Sequence, residues 1–209
     1  MIDLIVPTIP GREESLARCL VSFRENSSER VNEIVIVNSP SCGEGWIAGL
    51  RESDAEYVAL VADDLEMTSD TWAGRCMSVA DRGWLPCPRV WQPDGGVESQ
   101  GGDMNALGHL VQRHRKHLAA CDFTTVPFMS REQADAIGMI PTQYCCDVWV
   151  SYRGRQLGYQ TVLVHGYDLT HYQEQVGRGA GMVQSERDAV DRGIMAAALE
   201  KAAAVHADV

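Results

Sequence analysis

The chain has few positively charged residues for its length. Its 18 Lys and Arg residues face 29 Asp and Glu residues, which gives a formal net charge of −11. Such a charge argues against broad binding of nucleic acids, because their phosphates are contacted by Lys and Arg. The exception is a basic cluster at residues 113–117, which is either a solvated helix face or a contact for a phosphate-bearing acceptor or a membrane surface.

The chain also lacks long apolar runs and paired cysteines. No stretch approaches the roughly 20 apolar residues of a membrane helix, and no basic segment followed by an apolar one opens the N-terminus. The seven cysteines are odd in number and include no C-x-x-C pair, which argues against a disulfide framework. We therefore expect a cytoplasmic protein without a membrane span and with reduced, mostly buried thiols.

The length suits one compact domain. The 209 residues with 45 % hydrophobic content are enough for one core, and no linker or internal repeat interrupts them. We expect a domain over residues 1–180 and a helical tail over residues 181–209. Between about residues 185 and 204, apolar residues recur with helical spacing, namely at Val190, Ile194, Ala198 and Leu199. This helix either covers the core or pairs with a second subunit to form a homodimer.

Three short apolar runs are typical of buried parallel strands, and polar residues follow each of them. The runs lie at residues 2–6, 33–37 and 57–61, and a helical pattern with Leu16, Leu20 and Phe23 on one face separates the first two. Strands and crossover segments in this order predict a parallel sheet whose polar strand ends meet at one edge. Open α/β sheets bind their ligands at that edge.

Asp63 and Asp64 follow the third run directly, and Glu66 comes two residues later. Carboxylates this close repel one another unless a cation lies among them. Their oxygens suit Mg²⁺ or Mn²⁺, and such an ion would in turn bind a diphosphate. The alternative is a solvated acidic loop that precedes the next helix.

These elements resemble the inverting GT-A glycosyltransferases of the family-2 type, from residue 2 to about residue 179. Val6-Pro7-Thr8 with Arg12 is similar to the first strand and donor-binding turn of that family, and Asn38 stands where such enzymes often carry an Asp that reads the nucleotide base. Asp63-Asp64 is similar to the end of the D-x-D type metal motif, with Ala62 in place of the first acid. The resemblance implies that Asp64 is a metal ligand and that the donor-binding residues include Pro7, Thr8, Arg12, Asn38 and Asp63.

The second half of the chain is similar to the acceptor half of the same family. Asp147 precedes Gly158-Tyr159 at the distance typical of the Asp in a Glu-Asp pair, with Cys146 in place of the Glu, which implies that Asp147 is the catalytic base. Arg153 on the same segment is a further donor-binding candidate. His171 follows the apolar run at residues 161–164, which predicts a strand. It stands where the family often has a His near the metal and the diphosphate, which implies that His171 is a second metal ligand. The alternatives are a helix N-cap for Asp147 and an ordinary hydrogen-bonded histidine for His171.

Gly101 and Gly102 end a Gly-rich segment that starts at Pro93. Because glycine lets the backbone come close to a ligand, these two residues are candidates for the approach to the donor sugar, although an ordinary hairpin turn also uses glycine. By the resemblance, the donor half covers about residues 1–102 and the acceptor half about residues 103–180.

The resemblance implies an α/β fold, with a mostly parallel GT-A-like central sheet flanked by helices. The enzyme would move a sugar from a nucleoside-diphosphate donor to a hydroxyl acceptor with inversion. Mn²⁺ or Mg²⁺ would stabilise the diphosphate, and a carboxylate would accept the proton of the acceptor. The acceptor is a small molecule, a glycan, a lipid, a protein or a modified DNA base. The alternatives are a nucleotidyltransferase and, because of Ala62 and Cys146, a non-catalytic nucleotide-sugar-binding module.

Overall fold

The computed structural model describes residues 1–104, 110–112, 120–142, 146–172 and 191–198. The strands are β1 (Ile2–Thr8), β2 (Val31–Val37), β3 (Tyr57–Leu60), β4 (Leu65–Met67), β5 (Leu85–Trp91), β6 (Val97–Gln100), β7 (Asp103–Met104), β8 (Leu110–Gln112), β9 (Ala120–Cys121), β10 (Phe128–Ser130) and β11 (Thr161–His171). The helices are α1 (Glu13–Glu25), α2 (Cys42–Glu52), α3 (Trp72–Ala80), α4 (Arg131–Ile137) and α5 (Cys146–Gln156). Residues 191–198 are also helical.

The first sheet has the strand order β10-β3-β1-β2 and is parallel except for β10. Because α1 connects β1 to β2 and α2 connects β2 to β3, the C-terminal ends of three strands lie at one edge. The parallel sheet predicted from the three apolar runs is confirmed. Each run is a strand, with its ends shifted by no more than two residues.

Both faces of this sheet are covered, because successive side chains of a strand point to opposite faces. On β1, Leu4 belongs to a core cluster with Phe23 of α1 and Trp72 of α3. The next residue, Ile5, belongs to a second cluster with Trp46 of α2. Burial on both faces explains why the strand sequences are continuously apolar rather than alternating.

A second sheet has the order β4-β11-β5-β6, and β9 also pairs with β11. β11 and β5 are parallel, whereas β4 and β6 run antiparallel to their neighbours. The apolar run at residues 161–164 predicted the start of β11 but not its extension to His171. A register irregularity between Leu163 and Asp168, with Gly166 at a φ of 82°, interrupts the strand pattern there.

The two sheets share one core. The centroid of the Trp72 ring lies 6.1 Å from the ring centroid of Phe128 in the first sheet and 6.2 Å from the ring centroid of Tyr167 in the second sheet. The six described cysteines are free thiols, as expected. Within the described residues, no helix is both long and apolar enough to span a membrane.

The described part of the C-terminal tail packs on the core. Met195 is buried, and Ile194 and Ala198 pack against the cluster that contains Ile5. This agrees with the alternative in which the tail helix covers the core, while pairing with a second subunit stays a prediction. The rest of the predicted tail helix and the basic cluster at residues 113–117 lie outside the described residues.

Candidate functional site

The acidic pair lies at the edge formed by the C-terminal ends of β1, β2 and β3. Asp63 and Asp64 belong to the link between β3 and β4 and are only 3 % and 8 % exposed. The alternative of a solvated acidic loop is therefore wrong, because both carboxylates are withdrawn from water. Buried neighbouring acids require cations or hydrogen-bond donors close by.

Two residues near the start of the chain hold Asp63. Thr8 Oγ1, at the end of β1, donates a hydrogen bond of 2.6 Å to Asp63 Oδ2. Arg12 Nη1 lies 3.0 Å from Asp63 Oδ1, and Arg12 Nη2 lies 3.1 Å from Asp64 Oδ2. Three of the predicted donor-binding residues thus form one cluster. Arg12 bridges the two carboxylates, and Thr8 in addition holds Asp63.

His171 reaches this cluster through strand pairing. β4 starts one residue after Asp64 and runs antiparallel to the end of β11, so that Leu65 lies opposite His171. The Tyr172 N–H also donates to the Asp64 carbonyl oxygen at 3.0 Å. As a result, His171 Nε2 lies 3.4 Å from Asp64 Oδ1. The structure therefore brings together the two residues that the resemblance implied as metal ligands.

Glu98 also contacts His171, and no sequence motif connected the two residues. Both carboxylate oxygens of Glu98, on β6, lie 2.9 Å from His171 Nδ1. Because β5 separates β6 from β11 in the sheet, the contact depends on strand order rather than on any local pattern. The only signal for Glu98 in the sequence was an acidic residue within the Gly-rich segment at residues 93–102.

The two acids differ in their electrostatic environment. Burial raises the pKa of Asp63 in spite of the Thr8 hydrogen bond and the Arg12 charge. Burial opposes ionisation of Asp64 as well, but the hydrogen bonds and charges of His171 and Arg12 outweigh it and lower the pKa of Asp64. For His171, burial alone would lower the pKa, yet Asp64 and Glu98 outweigh it and raise the pKa to about 9. Arg12 and His171 thus hold Asp64 as an ionised carboxylate, and a cation bound at His171 Nε2 would take the place of the proton there.

A cavity of about 240 Å³ adjoins this cluster at the start of α1 and is lined by Gly11, Arg12, Glu14, Ser15 and Arg18. Ser15 Oγ donates to the Asp63 carbonyl oxygen at 3.0 Å, which connects the cavity wall to the acidic pair. The Arg18 guanidinium lies 4.0 Å from the centroid of the Tyr172 ring. The wall thus carries two arginines and the carboxylate of Glu14, and guanidinium groups match phosphate geometry.

Two further predicted donor-binding residues lie at or behind the same edge. Asn38 follows β2 with a φ of 63°, its side chain is exposed, and its N–H donates to the Thr8 carbonyl oxygen at 2.8 Å. Pro7 packs against α2, since a Cβ added to Gly45 would lie 2.6 Å from Pro7 Cβ. Asn38 is therefore next to the cluster, while Pro7 has at least a packing role.

Three predicted residues have contacts elsewhere. Gly101, with a φ of 72°, is buried against β9, where an added Cβ would lie 2.9 Å from Cys121 Cβ, and the Gly102 carbonyl accepts from Asp122 N–H at 2.8 Å. Residues 92–96 turn the β5–β6 hairpin, which confirms the hairpin alternative for that part of the segment. Arg153 Nη1 donates to Gln156 of its own helix at 3.1 Å. Donor binding by Gly101, Gly102 and Arg153 stays a prediction.

Asp147 lies in the first turn of α5, which begins at Cys146. It is therefore inside the helix rather than at its cap, and its Oδ1 accepts from the Val148 N–H at 2.8 Å. The helix ends before Gly158, whose φ is 86°, so one helix accounts for the spacing on which the resemblance rested. A carboxylate at a helix start is favoured as the anion by the helix dipole. Its role as the catalytic base stays a prediction.

The side chains of Asp64 and His171 suit a divalent cation. In the described parts of the chain, no group of three His, Cys, Asp or Glu residues is placed to hold one. Asp64 Oδ1 and His171 Nε2 are 3.4 Å apart. Neighbouring ligands of an octahedral ion with bonds of about 2.1 Å are about 3.0 Å apart. Mg²⁺ is commonly held by one or two carboxylates together with water and substrate phosphates. A diphosphate would complete such a site.

Sequence comparison does not assign the chain to a family, since no family model matches it. The chain is 27 % identical over 158 residues to the uncharacterized protein y4gI of Sinorhizobium fredii (strain NBRC 101917 / NGR234), covering 63 % of this chain and 17 % of that protein. The chain thus spans less than a fifth of the length of this relative.

Comparison with solved structures confirms the GT-A-like fold. The structure of GalNAc-T7 with UDP, GalNAc and Mn²⁺ is similar at a TM-score of 0.62 and 13 % identity, covering 82 % of this chain and 44 % of that one. The catalytic domain of Drosophila β1,4-galactosyltransferase 7 in complex with xylobiose is similar at a TM-score of 0.57 and 12 % identity, covering 87 % of this chain and 72 % of that one. At such identities the likeness shows the fold alone, and it does not assign the family-2 type.

Proposed function

We propose that this domain transfers a sugar from a nucleoside-diphosphate donor to a hydroxyl acceptor, with inversion and with a bound divalent cation. The observation that carries the proposal is the contact between Asp64 and His171 at the ligand-binding edge of the sheet, where Asp64 Oδ1 and His171 Nε2 lie 3.4 Å apart. A structural neighbour that contains UDP, GalNAc and Mn²⁺ supports it.

The residues at the strand ends suit the parts of such a donor. Asn38 next to Thr8 offers an amide that both donates and accepts hydrogen bonds, as recognition of a base requires. Asp63, held in place by Thr8 and Arg12, offers its remaining lone pairs to a ribose hydroxyl. Arg12 and Arg18 line the cavity and suit the phosphates.

Asp64 and His171 would hold the cation, which stabilises the negative charge that develops on the departing diphosphate. In the transfer, the acceptor oxygen bonds to the anomeric carbon while the bond from that carbon to the diphosphate oxygen breaks. The proton of the acceptor hydroxyl passes to the Asp147 carboxylate. Attack on the face opposite the leaving group inverts the anomeric configuration.

Incubation with a panel of nucleotide sugars and Mn²⁺, followed by product analysis, tests this function. Release of the nucleoside diphosphate supports glycosyl transfer, because water can replace the acceptor. Release of pyrophosphate would instead identify a nucleotidyltransferase. Binding of a donor, measured as a rise in melting temperature, without any product would identify a module that has lost turnover.

A further inference from the structure

We propose that Glu98 is a positioning residue that orients His171 toward the cation held by Asp64. This role depends on the proposed function, since it requires a cation at Asp64 and His171. It adds a carboxylate that acts on the site through the imidazole ring rather than by touching the cation or the donor.

The contact itself defines the state of the ring. Glu98 Oε1 and Oε2 each lie 2.9 Å from His171 Nδ1. An ionised carboxylate only accepts hydrogen bonds, so Nδ1 must carry the proton, and a neutral His171 then has its lone pair on Nε2. Nε2 is the atom that lies 3.4 Å from Asp64 Oδ1. Metal-binding histidines are commonly oriented by a carboxylate on the other ring nitrogen in this way.

The pairing of β6 with β5 explains how Glu98 reaches the ring. Val90 pairs with Ser99, but Trp91 pairs with Val97, so Glu98 is the extra residue of a β-bulge. A bulge interrupts the alternation of side chains and re-aims the residue that it contains. Here it lets a carboxylate of β6 extend past β5 to the end of β11.

Burial makes the contact stronger than a surface ion pair. The side chains of Glu98 and His171 are 17 % and 26 % exposed, so solvent screens their interaction only partly. The sheet does not need this contact to join β6 to β11, because both strands have a backbone ladder with β5. A role in cation binding is therefore separable from a role in folding.

Binding of Mn²⁺ in the presence of UDP tests the role, with free Mn²⁺ measured by electron paramagnetic resonance. Glu98→Ala should weaken Mn²⁺ binding by about 10- to 100-fold, the range typical of residues that orient metal ligands. Glu98→Gln keeps an accepting oxygen without the charge, so its Mn²⁺ affinity should fall less than that of Glu98→Ala but still by about threefold or more. His171→Ala provides the loss expected for a direct ligand. Glu33→Ala removes a partly buried carboxylate of β2 that pairs with Arg24 of α1, and this variant should bind Mn²⁺ as the wild type does.

Each result decides a different part of the proposal. Weakened binding in both Glu98 variants, with melting temperatures close to the wild type, supports the positioning role. Wild-type affinity in Glu98→Ala beside a weakened His171→Ala would overturn that role and leave the proposed function standing. Absence of Mn²⁺ binding by the wild-type protein would overturn both. If Glu98→Ala does not fold, Glu98→Gln decides, and unchanged affinity in it overturns the role.

Discussion

Replacement of Asp64 by Asn tests the candidate metal ligand without emptying its position. Asp64 faces two cations, with Arg12 at 3.1 Å and His171 at 3.4 Å. Each of them keeps another carboxylate at a shorter distance, since Arg12 lies 3.0 Å from Asp63 and His171 lies 2.9 Å from Glu98. The substitution therefore leaves no buried cation alone, and we expect the fold to survive.

The expected magnitudes follow from these contacts. Breaking a buried pair and leaving one charge alone costs roughly 3–5 kcal/mol. Asp64→Asn leaves Arg12 paired with Asp63 and His171 paired with Glu98, so it should lower the free energy of unfolding by only about 2 kcal/mol. For a chain of this length that corresponds to a melting temperature lower by about 4–8 °C. The affinity for the cation should fall by more than about 100-fold, because mutation of residues that only orient a metal ligand already lowers metal affinity by about 10- to 100-fold.

Isothermal titration with Mn²⁺ or with EDTA measures the effect, using the nucleoside diphosphate that raises the melting temperature of the wild type most. The wild type should bind this nucleotide far more tightly with Mn²⁺, whereas Asp64→Asn should bind it equally weakly in both buffers. Asp135→Asn, at an exposed pair with Arg131 on α4, is the control and should match the wild type. A full Mn²⁺ enhancement in Asp64→Asn would refute the assignment of the ligand. Equal affinities in the wild type would refute metal dependence itself.

Three further predictions address the base, the pH dependence of stability and the packing behind the site. Asp147→Asn, which keeps an oxygen for the Val148 N–H, should lower transfer by about 10²- to 10⁴-fold with unchanged donor affinity, and an undiminished rate would reject Asp147 as the base. Burial opposes ionisation of Asp168, but hydrogen bonds from Arg89 and Trp91 outweigh it and lower its pKa. The stabilisation by Asp168 is therefore complete above its unfolded-state pKa and is lost as the pH falls through its folded-state pKa. Between about pH 5 and pH 2, the free energy of unfolding in urea should therefore fall less for Asp168→Asn than for the wild type. Equal losses in the two proteins would contradict this prediction. Gly45→Ala should lower the free energy of unfolding by about 1–3 kcal/mol, because the new Cβ would lie 2.6 Å from Pro7 Cβ. The control is Gly74→Ala on α3, where a new Cβ would have no neighbour within 4 Å among the described residues, and it should be neutral or stabilise by up to about 1 kcal/mol. The same loss in both glycine variants would contradict the packing argument.

The sequence by itself determined the three parallel strands of the first sheet and the polar residues at their ends, but not the antiparallel edge strand β10. A continuously apolar run is buried on both faces, and a charged residue directly after it can emerge only at the end of the strand. These are local properties of the chain. They predicted β1, β2 and β3 within two residues, and with them the positions of Thr8, Asn38 and Asp63.

Only the tertiary structure decided which of these residues contact one another. His171 meets Asp64 because β4 pairs with the end of β11, and a strand of three residues is too short to show any periodicity. Glu98 meets His171 because a bulge on β6 directs it past β5. Both contacts join segments that are far apart in the chain, and pairing between distant strands leaves no local pattern from which the contact could be predicted.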